Sequence, residues 1–213
     1  MPRTRIKICG VRDLKTAEIA AEAGADAVGL DFRPGSPSHV DPQIAADILA
    51  ALPPFMSAVA VYADPTLDDF LDTEAVCPAP YSQLHGKEKD NLVRRIGPDA
   101  IKAIAYNAAT LDADLRHWQG IEEVCAILIE APPDADWPDL APKLTRSIAL
   151  SQARVILAGG LTPENVAGVV KAARPWGVSV SRGVEGSPGT KNPDLIRKFC
   201  RAVRRADAAG EPE

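Results

Sequence analysis

The chain has 213 residues, 46% of them hydrophobic and 25% charged, the composition of a folded globular protein rather than a disordered one. A net charge of −5 and a pI near 5.3 disfavour a nucleic-acid-binding domain and a polybasic membrane anchor. No apolar run approaches the ~20 residues of a membrane span, and the opening MPRTRIKICG carries neither a signal nor a transit pattern, so the sequence predicts a soluble, cytoplasmic protein with one domain over residues 1–213.

Arg5 to Cys9 (RIKIC) predicts a first strand, followed by a helix led by Asp13 and running to about Ala23. Ala27 to Phe32 is a second strand, and a helix begins near Pro42. Ser57 to Tyr62 and Ser82 to Leu84 supply the third and fourth strands. Ala100 to Ala105 and Val124 to Ile129 supply the fifth and sixth. Val155 to Ala158 and Val178 to Ser181 complete the set, with helical patterns clearest at Thr162 to Ala173 and Pro193 to Ala206. Strands alternating with helices imply a parallel sheet with crossover helices. The count of eight, with no boundary linker, favours a closed (β/α)8 barrel, an α/β fold, over an open doubly wound sheet. The small, polar end of the chain, residues 207–213, is expected to fray.

The four cysteines, Cys9, Cys77, Cys125 and Cys200, form no closely spaced pair, which argues against zinc and against a disulfide framework. No metal site is expected. Burial is the default for each thiol.

In such a barrel the functional groups lie at the C-terminal ends of strands and in the loops that follow. Those positions carry Cys9, Asp31, Tyr62, His85, Lys102, Glu130, Gly159–Gly160 and Ser181–Arg182. Gly159 and Gly160 permit close backbone approach to a ligand. With Thr162 as N-cap and Pro163 as first helical residue, they predict either an anion site or a tightly packed turn. Ser181, Arg182 and Gly183, after the last strand, form the natural second half of a phosphate site, where Arg182 pairs with an anion or is a solvated charge. Cys9 reads as a packing residue or a general base. Glu130, ending an apolar strand, is either capped structurally or poised as an acid with a raised pKa.

Lys7-Ile8-Cys9-Gly10, Ser82-Gln83-Leu84-His85-Gly86 and Leu157-Ala158-Gly159-Gly160-Leu161-Thr162-Pro163-Glu164-Asn165-Val166 resemble the phosphoribosylanthranilate isomerase family. The likeness continues through Gly183-Val184-Glu185, Gly189 and Lys191, and so covers essentially the whole chain in order. The resemblance implies an Amadori rearrangement of an aminoaldose phosphate to an aminoketose, in the pathway of tryptophan biosynthesis. It implies Cys9 as the base that removes the C2′ proton and Glu130, where the family has aspartate, as the acid that opens the sugar ring. Phosphate is expected at Gly159, Gly160, Ser181 and Gly183, with Arg182 standing where the family has serine. Gln83, His85, His39 and Asp31 complete the expected substrate contacts.

The chain departs from the family's pattern at several of these places. Ser38 stands where the family's arginine holds the anthranilate carboxylate, which leaves His39 and Arg182 as the nearest cations by sequence. Ser179 replaces an aspartate, and Ala131 to Asp136 replaces a glycine-rich loop. The expected partner is therefore a small phosphorylated substrate, with no cofactor, no nucleic acid and no membrane, acted on by a monomer or homodimer. The rival readings are a relative acting on a ligand without that carboxylate, and a non-catalytic binding relative.

Overall fold

The computed structural model describes residues 3–209, and these form a closed eight-stranded parallel barrel. The strands are β1 (Arg5–Cys9), β2 (Ala27–Asp31), β3 (Ser57–Tyr62), β4 (Tyr81–Leu84), β5 (Ala100–Ala105), β6 (Val124–Glu130), β7 (Val155–Ala158) and β8 (Gly177–Val180). Each pairs with its successor, and β8 returns to β1 with Arg5 opposite Gly177 and Ile8 opposite Val180. Helices α1 (Leu14–Glu22), α2 (Pro42–Ala51), α3 (Leu67–Val76), α4 (Asp90–Ile96), α5 (Leu111–Gln119), α6 (Trp137–Leu150), α7 (Val166–Ala173) and α8 (Pro193–Ala208) form the outer layer.

Local chemistry explains where these helices begin. Asp13 accepts from the backbone N–H of Thr16 at 2.8 Å and starts α1, and Asp41, followed by Pro42, does the same for α2 through Gln43. Thr66 and Asp69 form a reciprocal capping box at α3. Helix α8 places Ile196, Phe199, Cys200, Val203 and Ala206 on one stripe, all buried against the sheet.

Alternation along each strand sends one set of side chains outward to the helices and the other into the barrel. The outward set builds the main core, with Ile6, Ile8, Leu30, Leu84, Ile127, Ile129 and Leu157 fully buried against residues such as Ile48, Leu144 and Phe199. The inward set forms a second cluster of Val59, Ile101, Ala103, Ala126, Leu128, Ile156 and Ala158. The registers Lys7↔Ala27, Cys9↔Gly29, Asp31↔Val61, Val61↔Gln83 and Ala105↔Glu130 then put Cys9, Asp31, Gln83 and Glu130 on the inward set toward the C-terminal mouth. The apolar packing of the barrel's lower half holds this polar upper layer in place.

The structure differs from the sequence reading at three places. Helix α7 begins at Val166, not Thr162, with Asn165 at its N-cap position. Asn165 instead bridges the preceding turn: its Oδ1 accepts from Thr162 N (2.8 Å) and its Nδ2 donates to Gly160 O (2.9 Å). Helix α8 runs to Ala208, two residues beyond the helical pattern read from the sequence, and Asp207 accepts from the backbone N–H (3.0 Å) and hydroxyl (2.6 Å) of Thr4. Residues 210–213 lie outside the described residues. Finally, a short hairpin, β9 (Glu185–Ser187) and β10 (Thr190–Lys191), follows the barrel and has no counterpart in the sequence-based reading. No helix among the described residues is long and apolar enough to cross a membrane.

Candidate active site

Inside the mouth a line of hydrogen bonds runs from β1 across β4 to β6. The buried Lys7 ammonium donates to Gln83 Oε1, and burial holds its pKa below the ordinary lysine value. An ammonium can only donate, so Gln83 must present its oxygen to Lys7 and its Nε2 to His85 Nδ1, 3.4 Å away. Nδ1 therefore accepts, and the imidazole carries its hydrogen on Nε2, which faces Glu130 Oε2 in a short contact. That hydrogen bond from His85 is the main reason the Glu130 carboxyl lies below the usual glutamate range, and the charges of Arg33 and Arg182 add to it. The expectation of a raised pKa is thus reversed. Strand-end burial alone would push the acid up, but the imidazole and two guanidiniums outweigh it.

Cys9 stands beside this line. An ideal Cβ on Gly29 would lie 2.7 Å from the Cys9 sulfur and 2.9 Å from Lys7 Cε, so the absence of a side chain at Gly29 makes the room that both occupy. The charges of Lys7 and Arg33 both reach the thiol. Of the other thiols, Cys77 and Cys200 are buried, and Cys125 is half-buried with burial pushing its pKa up to about 11.

The turns after β7 and β8 meet on the far side of the mouth. Gly159 has φ +89°, and a Cβ there would fall 2.1 Å from the Ala131 carbonyl. Its own carbonyl accepts from Trp137 Nε1 at 2.9 Å, which fixes the turn to α6. A Cβ on Gly183 would fall 1.9 Å from the Leu161 carbonyl, so the two turns are in contact. Among the described residues, no acceptor takes the backbone N–H of Gly160, Arg182 or Gly183. Thr162 does not contribute as expected, because its N–H is given to Asn165. Beneath Ser181, the buried Lys191 donates to the Ser181 carbonyl (3.2 Å) and hydroxyl (3.1 Å) and pairs with Glu185 at 2.6 Å, pinning the hairpin under the turn.

Other expected residues fall differently. Asp31 faces the mouth but is spent internally: at 1% exposure its carboxylate accepts from Arg33 N, Nε and Nη2 and from the Ser36 hydroxyl. His39 is exposed, with no side-chain partner among the described residues, and pairs with Asp31 through its backbone alone. Ser38 is buried over Gly10, where a Cβ would lie 2.8 Å from its hydroxyl. Arg182 is exposed, in the turn that follows β8. Lys102 is not at a strand end but mid-strand and outward, where it donates to Glu88 (2.6 Å) and Gly86 O (2.8 Å) beneath the His85 loop. Among the described residues no group of three His, Cys, Asp or Glu side chains converges as metal ligands.

Sequence reasoning missed Arg33, the Glu185–Lys191 pair and the Glu88–Lys102 pair. Arg33 had a signal: it stands two residues beyond the inward-facing Asp31, in phase with the strand. The lysine pairs had none, because each joins residues of different segments.

The family model for N-(5′-phosphoribosyl)anthranilate (PRA) isomerase matches residues 6–202 of the chain. An N-(5′-phosphoribosyl)anthranilate isomerase of Magnetococcus marinus is 41% identical over 211 residues, covering 97% of this chain and 98% of the relative. The crystal structure of phosphoribosyl anthranilate isomerase from Thermotoga maritima superposes with a TM-score of 0.84 at 32% identity, over 95% of this chain and 99% of that one. A second structure of such an isomerase, in complex with reduced 1-(o-carboxyphenylamino)-1-deoxyribulose 5-phosphate, gives 0.81 at 33% identity over the same shares.

Proposed function

The chain belongs to the N-(5′-phosphoribosyl)anthranilate isomerase family, and from that premise we propose how its mouth residues divide the work. The reaction is the aldose–ketose isomerisation of N-(5′-phosphoribosyl)anthranilate, an Amadori rearrangement. One proton must reach the ring oxygen to open the furanose, and another must leave C2′. The observation that carries the assignment is the hydrogen-bonded line from Lys7 to Glu130 with the Cys9 sulfur beside its origin.

Cys9 is the base in this reading. Lys7 and Arg33 present positive charge to the sulfur, the surroundings that a thiolate needs. Glu130 is the acid and His85 its positioning residue. His85 holds the carboxyl mainly ionised, so the proton that the ring oxygen receives comes from the minor protonated fraction of Glu130, which takes it up from solvent before the ring opens. The free N–H groups of Gly160, Arg182 and Gly183 hold the phosphate, with the Arg182 guanidinium adding a charge-assisted contact. Gly159, Ser181 and Lys191 shape that turn. These steps move protons alone and call for no metal or organic cofactor. We place the protein among cytoplasmic enzymes of tryptophan biosynthesis, working as a monomer or homodimer.

The test is Cys9→Ala against Cys125→Ala in a fluorescence assay for loss of phosphoribosylanthranilate. Cys9→Ala is expected to lose most of its turnover while keeping its melting temperature, and Cys125→Ala, on the barrel's lower half, to keep turnover and lose stability. Near-wild-type turnover in Cys9→Ala removes the base from the reading. A wild type that never turns the substrate over removes the isomerase reading as a whole.

A further inference from the structure

At the end of β2 a fully buried carboxylate is spent on an arginine and one serine hydroxyl. Asp31 accepts from the Arg33 backbone N–H at 3.1 Å, from Nε at 2.8 Å and from Nη2 at 2.7 Å, and takes its fourth bond from the Ser36 hydroxyl at 2.7 Å. An ionised carboxylate has about four acceptor sites, so nothing remains for a ligand. Burial would push Asp31 up, but these bonds hold it below the ordinary aspartate value, ionised. Arg33, in turn, is bound along only one edge. Its Nη1 hydrogens and the second Nη2 hydrogen have no acceptor among the described residues, which leaves the end of the fork free with its plane fixed. One third of that side chain is exposed, and its charge is felt at both Cys9 and Glu130, so the free end looks into the mouth.

We infer that Arg33 is the receptor for the substrate's benzoate carboxylate, with Asp31 as the positioning residue that sets its fork. The inference rests on the isomerase reading above and names a specificity residue within it. The barrel order gives the reason. The phosphate turns belong to β7 and β8, Cys9 to β1, and Arg33 follows β2, so the base stands between two anion receptors. The substrate has the same layout, with its reacting sugar carbons between a phosphate at one end and a ring carboxylate at the other. No other residue on the β2 side fits the second acid as well. Ser38 brings no charge, His39 is exposed to solvent, and Arg182 sits with the phosphate turn. Lys191, near Ser38, already serves Glu185 and Ser181. A guanidinium held on one edge by a buried acid also loses little freedom when its other edge takes up a carboxylate.

The experiment is calorimetric binding of two ligands, reduced 1-(o-carboxyphenylamino)-1-deoxyribulose 5-phosphate and its phenylamino counterpart without the ring carboxylate. The proteins are wild type, Arg33→Met, Arg33→Lys and Asp31→Asn. Wild type should prefer the carboxylated ligand by about ten- to a hundredfold, the range of one charge-assisted pair. Arg33→Met should abolish the preference by weakening the carboxylated ligand alone, Arg33→Lys should restore part of it, and Asp31→Asn should fall between. In turnover, KM should rise more than kcat falls. Arg33→Met weakening both ligands equally would reveal a merely structural role and overturn the inference, as would a preference that survives in Arg33→Met. If Arg33→Met does not fold, loss of preference in the folded Arg33→Lys supports the inference, and full preference there overturns it. Wild type binding both ligands equally also sinks the inference, with the isomerase reading intact, whereas wild type binding neither sinks both.

Discussion

Replacing Lys102 by Met tests what holds the His85 loop. The Lys102 ammonium, 3% exposed, donates to Glu88 Oε2 at 2.6 Å, Gly86 O at 2.8 Å and Leu84 O at 3.3 Å, and lies 5.3 Å from the centre of the Trp118 ring. Met keeps most of the stem's packing and removes all four contacts. Removing one partner of a buried pair costs about 3–5 kcal/mol, because the other charge is left uncompensated. Here Glu88 Oε1 still accepts from Asp64 N (2.9 Å) and Gly86 N (2.8 Å), which places the cost toward ~3 kcal/mol. For a chain of this size that is a fall in Tm of roughly 6–12 °C. Adding Glu88→Gln should recover part of it. The amide oxygen can keep both backbone donors while its NH2 takes the place of the orphaned Oε2, so the double variant should be more stable than Lys102→Met alone. pH gives a further check. Burial would raise Glu88, but Lys102 holds it below its ordinary value of 4.5, so the pair's contribution is present above that value and is lost as pH falls through the lower, folded one. The gap between wild type and Lys102→Met should therefore close in acid. Urea unfolding at pH 7 and below pH 4 measures both effects. A cost under ~1 kcal/mol, or a double variant no better than the single, refutes the reasoning.

Gly159→Ala should weaken binding of inorganic phosphate and destabilise the protein by more than ~2 kcal/mol, because the left-handed backbone alone costs ~1–2 kcal/mol and the new Cβ meets the Ala131 carbonyl at 2.1 Å. Gly168→Ala, mid-helix in α7 with open space around it, should instead stabilise by roughly 0.5–1 kcal/mol, and calorimetry that ranks the two the other way contradicts the account of the turn. For Glu130, held below its ordinary 4.5 chiefly by His85, the carboxylate form adds stability above that value and loses it as pH falls through the folded one. If the acid must be protonated, log kcat/KM declines as pH rises past its titration, and His85→Leu should move that decline to higher pH. A profile that stays in place separates His85 from the proton transfer.

The strands were legible because barrel strands are short, apolar on both faces and separated by turn residues, and five of the helix starts carry a capping side chain or a proline. What failed was Thr162 as a helix start. Thr, Pro and Glu in succession form a good N-terminal signal, but Asn165 bonds back to Thr162 and Gly160 and turns the segment once before α7 begins. The site was half legible. Cys9, Gln83, His85 and Glu130 sit at the ends of inward-facing positions, so a strand register suffices to bring them together. The partners that set their charge were not visible: which oxygen Gln83 gives to Lys7, and that Asp31 serves Arg33 rather than a ligand, are matters of side-chain direction.

The join between β8 and β1 has a bearing on how the protein is made. Thr4 and Arg5 wait for Asp207 and Gly177, the far end of the same chain, and Arg204 reaches back to the Thr4 carbonyl at 2.7 Å. At ~5–20 residues per second, a ribosome needs on the order of ten to thirty seconds to deliver the last strand after the first has emerged. Throughout that interval β1 offers one unpaired edge to solvent, and the growing sheet offers another at its newest strand. The turn after β7 also lacks the turn it packs against until Ser181 and Gly183 arrive. A chain halted after β7 therefore has two unpaired sheet margins, the kind of edge through which sheets pair with other chains.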